Sequence, residues 1–304
     1  MISFLIPTYN FNCAKLVRSI WKQAEALRTD KETDFDFEII VSDDASEEKE
    51  ILEALDADIA TLPRCRLLRQ QHRLGRAANR NALTDESHFP WKVFIDADAD
   101  IYTTDFVRCF WEARHKADVV CGSLLPAEPE KGCELRYRYE LHASQTMTAE
   151  RRNKVPHSRF TAFNVMLSEK AVGKVRFDEN CKDYGHEDTL LGIALQKAGL
   201  SVIHIDNPLV HAGLDSNEAF LNKTEEALVS LIRLPQLTKV VGSSHIYSIF
   251  QRFCMAWILR MSSPIFCPLL RRNLLGKHPS LLLFDCYKLL FYASLKGNIT
   301  RKEI

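Results

Sequence analysis

Short apolar runs of strand length alternate with stretches of helical periodicity through the first 121 residues of the chain. In the helical stretches apolar residues recur every three to four positions, as Val17, Ile20, Trp21 and Ala24 do. Strands that alternate with helices form a parallel sheet whose two faces are both covered. The sequence therefore predicts an α/β fold with strands over Ile2–Ile6, Phe37–Val41, Arg66–Leu68, Val93–Ile95 and Asp118–Cys121.

Polar clusters follow three of these predicted strands. Thr8, Tyr9 and Asn10 come after the first strand, the Asp43-Asp44 pair ends the second, and an acidic cluster follows the fourth. In open α/β sheets, ligands bind beyond the carboxyl ends of the strands. Three polar clusters at one sheet edge predict a binding site there.

The acidic cluster ends the stretch WKVFIDADADI, from Trp91 to Ile101. Asp96, Asp98 and Asp100 are spaced two apart, so on an extended chain their carboxylates would project together. Clustered carboxylates repel one another unless a cation sits among them, and hard oxygen ligands suit Mg²⁺ or Mn²⁺ with substrate phosphates. A metal–diphosphate site is one interpretation, and a solvated acidic turn is the alternative.

Composition and missing motifs exclude several classes of protein. Lys plus Arg and Asp plus Glu are both 40, and a general nucleic-acid binder would carry a basic excess. The nine cysteines are scattered singly, which fits reduced thiols in the cytoplasm. The N-terminus reads as a strand and not as a signal peptide, and the sequence predicts no membrane-spanning helix. Neither a dinucleotide-binding glycine motif nor a P-loop is present.

From Asp215 onward the pattern becomes helical. We expect helices over Ala219–Arg233, Ile246–Arg260 and Leu281–Leu295, the last apolar nearly all round and followed by a basic-rich tail. Three alternatives remain for this last helix: burial against the main domain, contact with an anionic membrane surface, or a homodimer contact.

Five motifs in order resemble family-2 glycosyltransferases of the GT-A fold, which is Rossmann-like. They are PTYN from Pro7, VSDDAS from Val41, LGRAANRNAL from Leu74, FIDADAD from Phe94 and YGHEDTLLG from Tyr184. The resemblance covers roughly the first 215 residues. It implies a glycosyltransferase domain over 1–214, with a nucleotide-binding half at 1–122 and an acceptor half at 123–214. A helical C-terminal region would follow at 215–304.

The resemblance also implies roles for residues near the donor. Asp98 would bind the metal, and His211 matches a histidine that some members use as a further metal ligand; a structural role is the alternative for His211. Arg73 stands where the family often has Asn. The residues implied to bind the nucleotide are Pro7, Thr8, Tyr9, Asn10, Asp44, Arg80, Asn81 and Asp96. Asp43 is open between a base contact and a structural cap.

Catalytic roles follow from the same resemblance. Asp188 takes the position of the family's catalytic base, and Glu187 would help to bind acceptor hydroxyls. Acidic residues are also favoured in the first turn of a helix by the dipole alone, so capping competes with catalysis. Asn164 matches an Asn near the donor sugar, with a buried Asn bonded to backbone as the alternative.

The sequence thus predicts an inverting, metal-dependent glycosyltransferase that uses Mn²⁺ or Mg²⁺ and a nucleotide diphosphate sugar, most simply a UDP-sugar. Its acceptor would be a saccharide or lipid-linked saccharide in polysaccharide or glycoconjugate synthesis. We expect a cytoplasmic protein, with peripheral contact to the inner face of the membrane through the C-terminal helices as an option. A sugar nucleotidyltransferase and a non-catalytic nucleotide-binding module are the alternative functions.

Overall fold

The structure is a computed structural model that describes residues 1–180, 186–233 and 256–299. Within these residues the chain forms two compact units. The first consists of residues 1–127, 143–180 and 187–213, and the second of residues 128–142, 186, 214–233 and 256–299. Residues 128–142 thus group with the C-terminal helices, whereas the sequence placed them in the acceptor half. The domain limits at 122 and 214 stay a prediction.

The first unit is built on one eight-stranded sheet with the order β3-β2-β1-β4-β7-β6-β8-β5. Neighbours are parallel from β3 through β4 and between β6 and β8, whereas β7 runs antiparallel to both β4 and β6, and β5 antiparallel to β8. The prediction of a mostly parallel α/β sheet is therefore confirmed. The strands are β1 Ile2–Thr8, β2 Phe37–Asp43, β3 Cys65–Arg69, β4 Trp91–Ile95, β5 Ala99–Asp100, β6 Val119–Pro126, β7 Asn164–Ser168 and β8 Val202–His211.

Eleven helices surround or follow this sheet in the described residues. Their bounds are α1 Ala14–Thr29, α2 Lys49–Ala60, α3 Arg76–Glu86, α4 Phe106–Ala113, α5 Glu134–Thr146, α6 Ala149–Asn153, α7 Glu169–Lys174, α8 Glu187–Lys197, α9 Asn217–Arg233, α10 Ala256–Leu274 and α11 Leu281–Ile299. A 3-10 turn, Pro156–Arg159, precedes β7. Strand β7 begins at Asn164, where pairing with Ile95 of β4 starts.

The sheet is buried on both faces because successive strand residues point to opposite sides. Phe4 and Ile39 pack in one core with α1, α2 and α4, whereas Leu5 and Ile40 pack in a second core with α3, α7 and α8. Continuous apolar strands are what such a two-sided arrangement requires. Both cores stop at the carboxyl ends of β1, β2 and β4, where the polar clusters begin.

The helix that carries Glu187 and Asp188 ends at Lys197, two residues before Gly199. Gly199 has a φ of +66°, and the N–H of Leu200 donates to the carbonyl of Leu195 at 3.1 Å, which closes the last turn of α8. Glu187 and Asp188 lie at the other end of α8, in its first turn.

The second unit has a small aromatic core of its own. Phe220 and Leu221 of α9, Leu274 of α10 and Phe284 and Tyr287 of α11 pack together. Residues 246–255 of the predicted helix Ile246–Arg260 lie outside the described residues, and α10 begins at Ala256. Of the helices in the described ranges, none has the combination of length and hydrophobicity that crossing a bilayer demands.

Candidate active site

A cavity of about 300 Å³ opens at the carboxyl edge of β1, β2 and β4. The N-terminal part of α3 and the loop before it complete its wall. Seven of the residues expected to bind nucleotide or metal line this cavity: Pro7, Thr8, Tyr9, Asp44, Arg80, Asp96 and Asp98. The fold thus brings four separate sequence segments to one site.

The turn that follows β2 is held by Asp43. The N–H of Ser46 donates to Asp43 Oδ2 at 3.0 Å, and the Ser46 hydroxyl donates to Oδ1. The same hydroxyl accepts the N–H of Asn10, while Asn10 Oδ1 accepts the N–H of Glu47 at 2.9 Å. Asp43 therefore acts as the structural cap that the sequence left open. Asn10 joins the two loops and is not among the residues that line the cavity.

Asp44 fixes the loop that leads into α3. Its Oδ1 accepts the N–H of Leu74 at 2.6 Å, and its Oδ2 accepts the N–H of Gly75 at 3.0 Å. Gly75 has a φ of +86°, a left-handed conformation that glycine adopts without strain. This loop holds Arg73 with its guanidinium carbon 4.2 Å from the centre of the Tyr9 ring, and both residues line the cavity.

Arg80 is a buried cation in the floor of the cavity. Its Nη2 donates to Asp96 Oδ1 at 2.5 Å, but Nε and Nη1 are buried without a hydrogen-bond partner in the described part of the chain. Burial acts to lower the pKa of Arg80, yet the charges of Asp96, Asp188 and Glu187 hold that pKa above its ordinary value. Two unpaired buried N–H groups are costly, which makes them donors for an anionic ligand.

Asp98 and His211 form the arrangement best suited to a metal ion. His211 Nε2 lies 3.2 Å from Asp98 Oδ2, and pairing of Ala99 with His211 between β5 and β8 sets this approach. Burial acts to raise the pKa of Asp98, but the hydrogen bond and charge of His211 lower it below its usual value. A Cβ at Gly213 would lie 3.2 Å from Asp98 Oδ2, so glycine keeps this carboxylate uncrowded.

This pair fits Mn²⁺ or Mg²⁺ as a partial ligand set. No cluster of three or more His, Cys, Asp or Glu side chains suited to a metal occurs in residues 1–180, 186–233 and 256–299. Ions bound through one or two carboxylates together with substrate phosphates do not need such a cluster. An imidazole beside a carboxylate favours a transition metal such as Mn²⁺ over Mg²⁺.

The three carboxylates after β4 do not project together as the sequence suggested. The strand ends at Ile95, the N–H of Ala99 donates to the carbonyl of Asp96 at 3.2 Å, and this turn breaks the extended run. Asp96 pairs with Arg80 and Asp98 with His211, whereas Asp100 pairs with the exposed Lys15 at 2.6 Å. Asp100 therefore lies on the surface, outside the cavity.

Asp188 and Glu187 lie in the first turn of α8. Their charges act on Arg80 in the cavity. Burial, together with the smaller effect of the Glu187 charge, raises the pKa of Asp188 to about 6, against the lowering effects of Arg80 and the backbone of Ala162. Glu187 Oε1 lies 3.6 Å from Arg76 Nη1. A carboxylate with a pKa near 6 is a suitable proton acceptor at neutral pH.

Two predicted site residues have side chains committed elsewhere. Asn81 donates to the carbonyl of Phe177 and accepts its N–H, which ties α3 to the chain after α7. Asn164 Nδ2 donates to the carbonyls of Ser123 and Asn207, and the residue is 1% exposed. This geometry matches the alternative of a buried Asn bonded to backbone.

Arg76 is a cavity residue that the sequence reasoning missed. It stands four residues before Arg80 on α3, so the two share one helix face. It lines the cavity and reaches Glu187, and its charge lowers the pKa of Asp98. The i, i+4 spacing to Arg80 was a signal that could have identified it.

Comparison with known families decides the class. The model of the glycosyl transferase family 2 matches residues 3–174, more than half of the chain. The chain belongs to glycosyl transferase family 2. It is therefore a glycosyltransferase, and the resemblance stated from its motifs is confirmed. No curated protein matches the sequence.

Solved structures of glycosyltransferases share the fold of this family member. The mannosyltransferase PcManGT from Pyrobaculum calidifontis, in complex with GDP-Man and Mn²⁺, aligns at 15% identity and a TM-score of 0.55, covering 98% of this chain and 86% of that one. TarS from S. aureus aligns at 14% identity and a TM-score of 0.50, covering 97% and 91%. TarS in complex with UDP-GlcNAc gives the same score, covering 97% and 92%. These likenesses confirm the predicted GT-A fold.

Proposed function

We propose that this glycosyltransferase is inverting and metal-dependent, and that it moves a sugar from a UDP-sugar to a hydroxyl of a saccharide or lipid-linked saccharide. One observation carries the proposal. The same cavity is lined by the buried Arg80, which has two unpaired donors, and by Asp98, whose carboxylate lies 3.2 Å from His211. A sugar diphosphate needs both kinds of partner, because its phosphates require hydrogen-bond donors and a counter-cation.

Asp98 and His211 are the residues that would hold Mn²⁺ or Mg²⁺. Such an ion stabilises the negative charge that develops on the departing diphosphate. Arg80 contributes to the same end from the protein side, because Nε and Nη1 are already desolvated and directed by the Asp96 pair. Asp96 thus serves by orienting Arg80, as well as lining the nucleotide cavity.

Asp188 acts as the general base. It takes the proton from the acceptor hydroxyl while that oxygen forms a bond to the anomeric carbon and the bond to the diphosphate oxygen breaks. Attack on the face opposite the leaving UDP inverts the anomeric configuration. The raised pKa of about 6 leaves Asp188 largely ionised at neutral pH and still basic enough to accept a proton. Glu187, held near Arg76, binds acceptor hydroxyls.

We further propose a hexose or N-acetylhexosamine as the transferred sugar. The TarS complex with UDP-GlcNAc supports UDP, whereas the PcManGT complex holds GDP-Man, so the nucleotide is the part of the proposal that most needs a direct test. Roles in polysaccharide or glycoconjugate synthesis, a cytoplasmic location and a homodimer stay predictions.

A thermal-shift screen of UDP, GDP, CDP and dTDP, each with Mn²⁺, Mg²⁺ or EDTA, tests the donor site. A ligand at a hundred times its Kd adds about 2.7 kcal/mol to stability, which corresponds to roughly 5 °C for a chain of this size. We expect a shift for UDP that requires metal and is lost in Asp98→Ala. Asp100→Asn is the matched control, since Asp100 pairs with Lys15 outside the cavity, and it should keep the shift. A UDP shift that survives both EDTA and Asp98→Ala would refute the metal assignment.

A further inference from the structure

One face of α10 is apolar and exposed along its length. Ile258, Met261, Ile265 and Leu269 are spaced by three or four residues, so they form a single stripe on the helix. Phe266 borders this stripe, and the five side chains are between 50% and 66% exposed. We call these five residues the α10 face. Exposed apolar residues scattered singly are ordinary, but a continuous stripe indicates a contact surface.

The rest of α10 is occupied by packing within its own unit. Leu274 is fully buried in the aromatic core of the second unit, and Cys267 and Leu270 pack against the same core. Arg271 donates to Glu225 of α9 at 2.7 Å, which ties the two helices together. One side of α10 thus packs against α9 and α11, whereas the α10 face is exposed.

The sequence segment that contains α10 is basic, although the whole chain carries 40 basic and 40 acidic residues. Arg271 of this segment is paired with Glu218 and Glu225 of α9. Between Glu226 and Asp285 the sequence contains seven Lys and Arg residues and no Asp or Glu. In the described part of this stretch, Arg272 and Lys277 are exposed at the end of α10. An apolar stripe bordered by cations is the composition that lies in the interface of an anionic bilayer.

We propose that the α10 face docks on an anionic lipid bilayer, with its apolar side chains in the interfacial layer and Arg272 and Lys277 at the headgroups. A second copy of this chain is a poorer partner, because the same stretch of an identical chain offers no acidic residue to Arg272 and Lys277. A nucleic acid would match the charge but would leave Ile265 and Leu269 against water or phosphate. The proposal does not depend on the identity of the donor or of the metal.

This assignment places the membrane surface on α10, whereas the sequence left membrane contact as one of three alternatives for the final helix. In α11 the large side chains Phe284, Tyr287, Leu290 and Tyr292 are buried. These side chains of α11 therefore pack within the protein. Among the described helices of this unit, α10 carries the exposed apolar stripe.

Vesicle sedimentation with the full chain tests the proposal. The probes are phosphatidylcholine vesicles with none or 30% phosphatidylglycerol, at low and high salt. We expect binding to the anionic vesicles that weakens with salt. The double variant Ile265→Asp with Leu269→Asp should lose at least tenfold in partition coefficient. Arg272→Gln with Lys277→Gln should lose about 25-fold, roughly fivefold per basic residue.

Val155→Asp is the matched control, because Val155 is an exposed apolar residue of the first unit at 49% exposure. It should bind vesicles as the wild type does. Circular dichroism and UDP-dependent thermal shift report whether each variant is folded. Absence of wild-type binding to anionic vesicles would overturn the proposal, as would binding that the α10 variants do not change. A wild-type dimer in light scattering that Ile265→Asp dissociates, without vesicle binding, would show instead that the α10 face joins two copies.

Discussion

Replacing the proposed base with its neutral isostere should make the protein more stable and inactive. In Asp188→Asn the buried carboxylate that burial and Glu187 disfavour is replaced by an amide of the same shape. The difference between the ordinary aspartate pKa of 3.8 and about 6 in the fold corresponds to roughly 3 kcal/mol at neutral pH. Arg80 loses a partner charge in the variant, so we expect a net gain of about 1–3 kcal/mol.

The sign of this effect depends on pH. Because the folded state holds its proton up to about pH 6 and the unfolded state only to 3.8, ionisation of Asp188 destabilises the fold as pH rises between these values. The advantage of Asp188→Asn should be full above pH 6 and vanish below pH 4. Urea unfolding from pH 4 to pH 8 measures this advantage. Asp100→Asn, which neutralises a partly exposed acid paired with Lys15, should differ from the wild type by less than about 1 kcal/mol throughout.

If Asp188 is the general base, Asp188→Asn should also lose turnover. We expect kcat to drop by a factor of about 100 or more, while donor binding is nearly unchanged. An Asn variant less stable than the wild type at pH 7.5, with no change of that difference on acidification, would refute the description of Asp188 as a disfavoured buried carboxylate. Wild-type turnover in the variant would refute its role as the base.

Three further predictions concern the same cavity. In a pH profile at saturating metal, kcat/KM of the wild type should fall below about pH 6. Glu187→Gln should move this fall to lower pH, because the variant removes a charge that raises the pKa of Asp188. An unchanged profile would contradict the effect of Glu187 on Asp188. Arg73→Asn removes a cation–π contact at the cavity wall and should raise the donor KM about two- to fivefold with kcat unchanged. Steady-state kinetics with a UDP-sugar measure both constants, and a loss confined to kcat would exclude a role of Arg73 in donor binding. Gly213→Ala places a methyl group 3.2 Å from Asp98 Oδ2 and should raise the Mn²⁺ concentration needed for half-maximal activity several-fold. An unchanged Mn²⁺ requirement would show that the Asp98 carboxylate does not bind the metal.

The fold could be predicted because its signals are local. Each buried strand is an apolar run, and each helix repeats its apolar residues with a period near 3.6. The strand ends place polar residues such as Thr8 and Asp44 at one edge whatever the details of packing. The direction of β7 could not be predicted in this way, because an antiparallel partner of β4 has the same apolar composition as a parallel one.

Side-chain partners were harder to predict than strands. The turn after Ile95 separates Asp96, Asp98 and Asp100, and their side-chain partners come from three distant segments of the chain. Asn81 looked like a ligand-binding residue, yet its amide is used by the backbone of Phe177. Such outcomes depend on contacts between residues up to 113 positions apart, which no local pattern encodes.

The burial of the C-terminal helices shows the same limit. The sequence of α11 is apolar nearly all round, so membrane contact was one of three alternatives for this helix. Packing uses much of its apolar surface, because Phe284 and Tyr287 of α11 join the aromatic core with Phe220. Which of two apolar helices is left exposed is decided by tertiary contacts and not by hydrophobicity.

The measurement that tests the central claim most directly is the turnover of UDP-sugars with a saccharide acceptor, followed by NMR of the product. We predict release of UDP that requires Mn²⁺ or Mg²⁺, stops in Asp188→Asn, and gives a product of inverted anomeric configuration. A retained configuration would contradict the single displacement with Asp188 as base. Nucleotide binding without transfer to any acceptor would indicate a non-catalytic binding module, and pyrophosphate release from a nucleoside triphosphate and a sugar phosphate would indicate a nucleotidyltransferase.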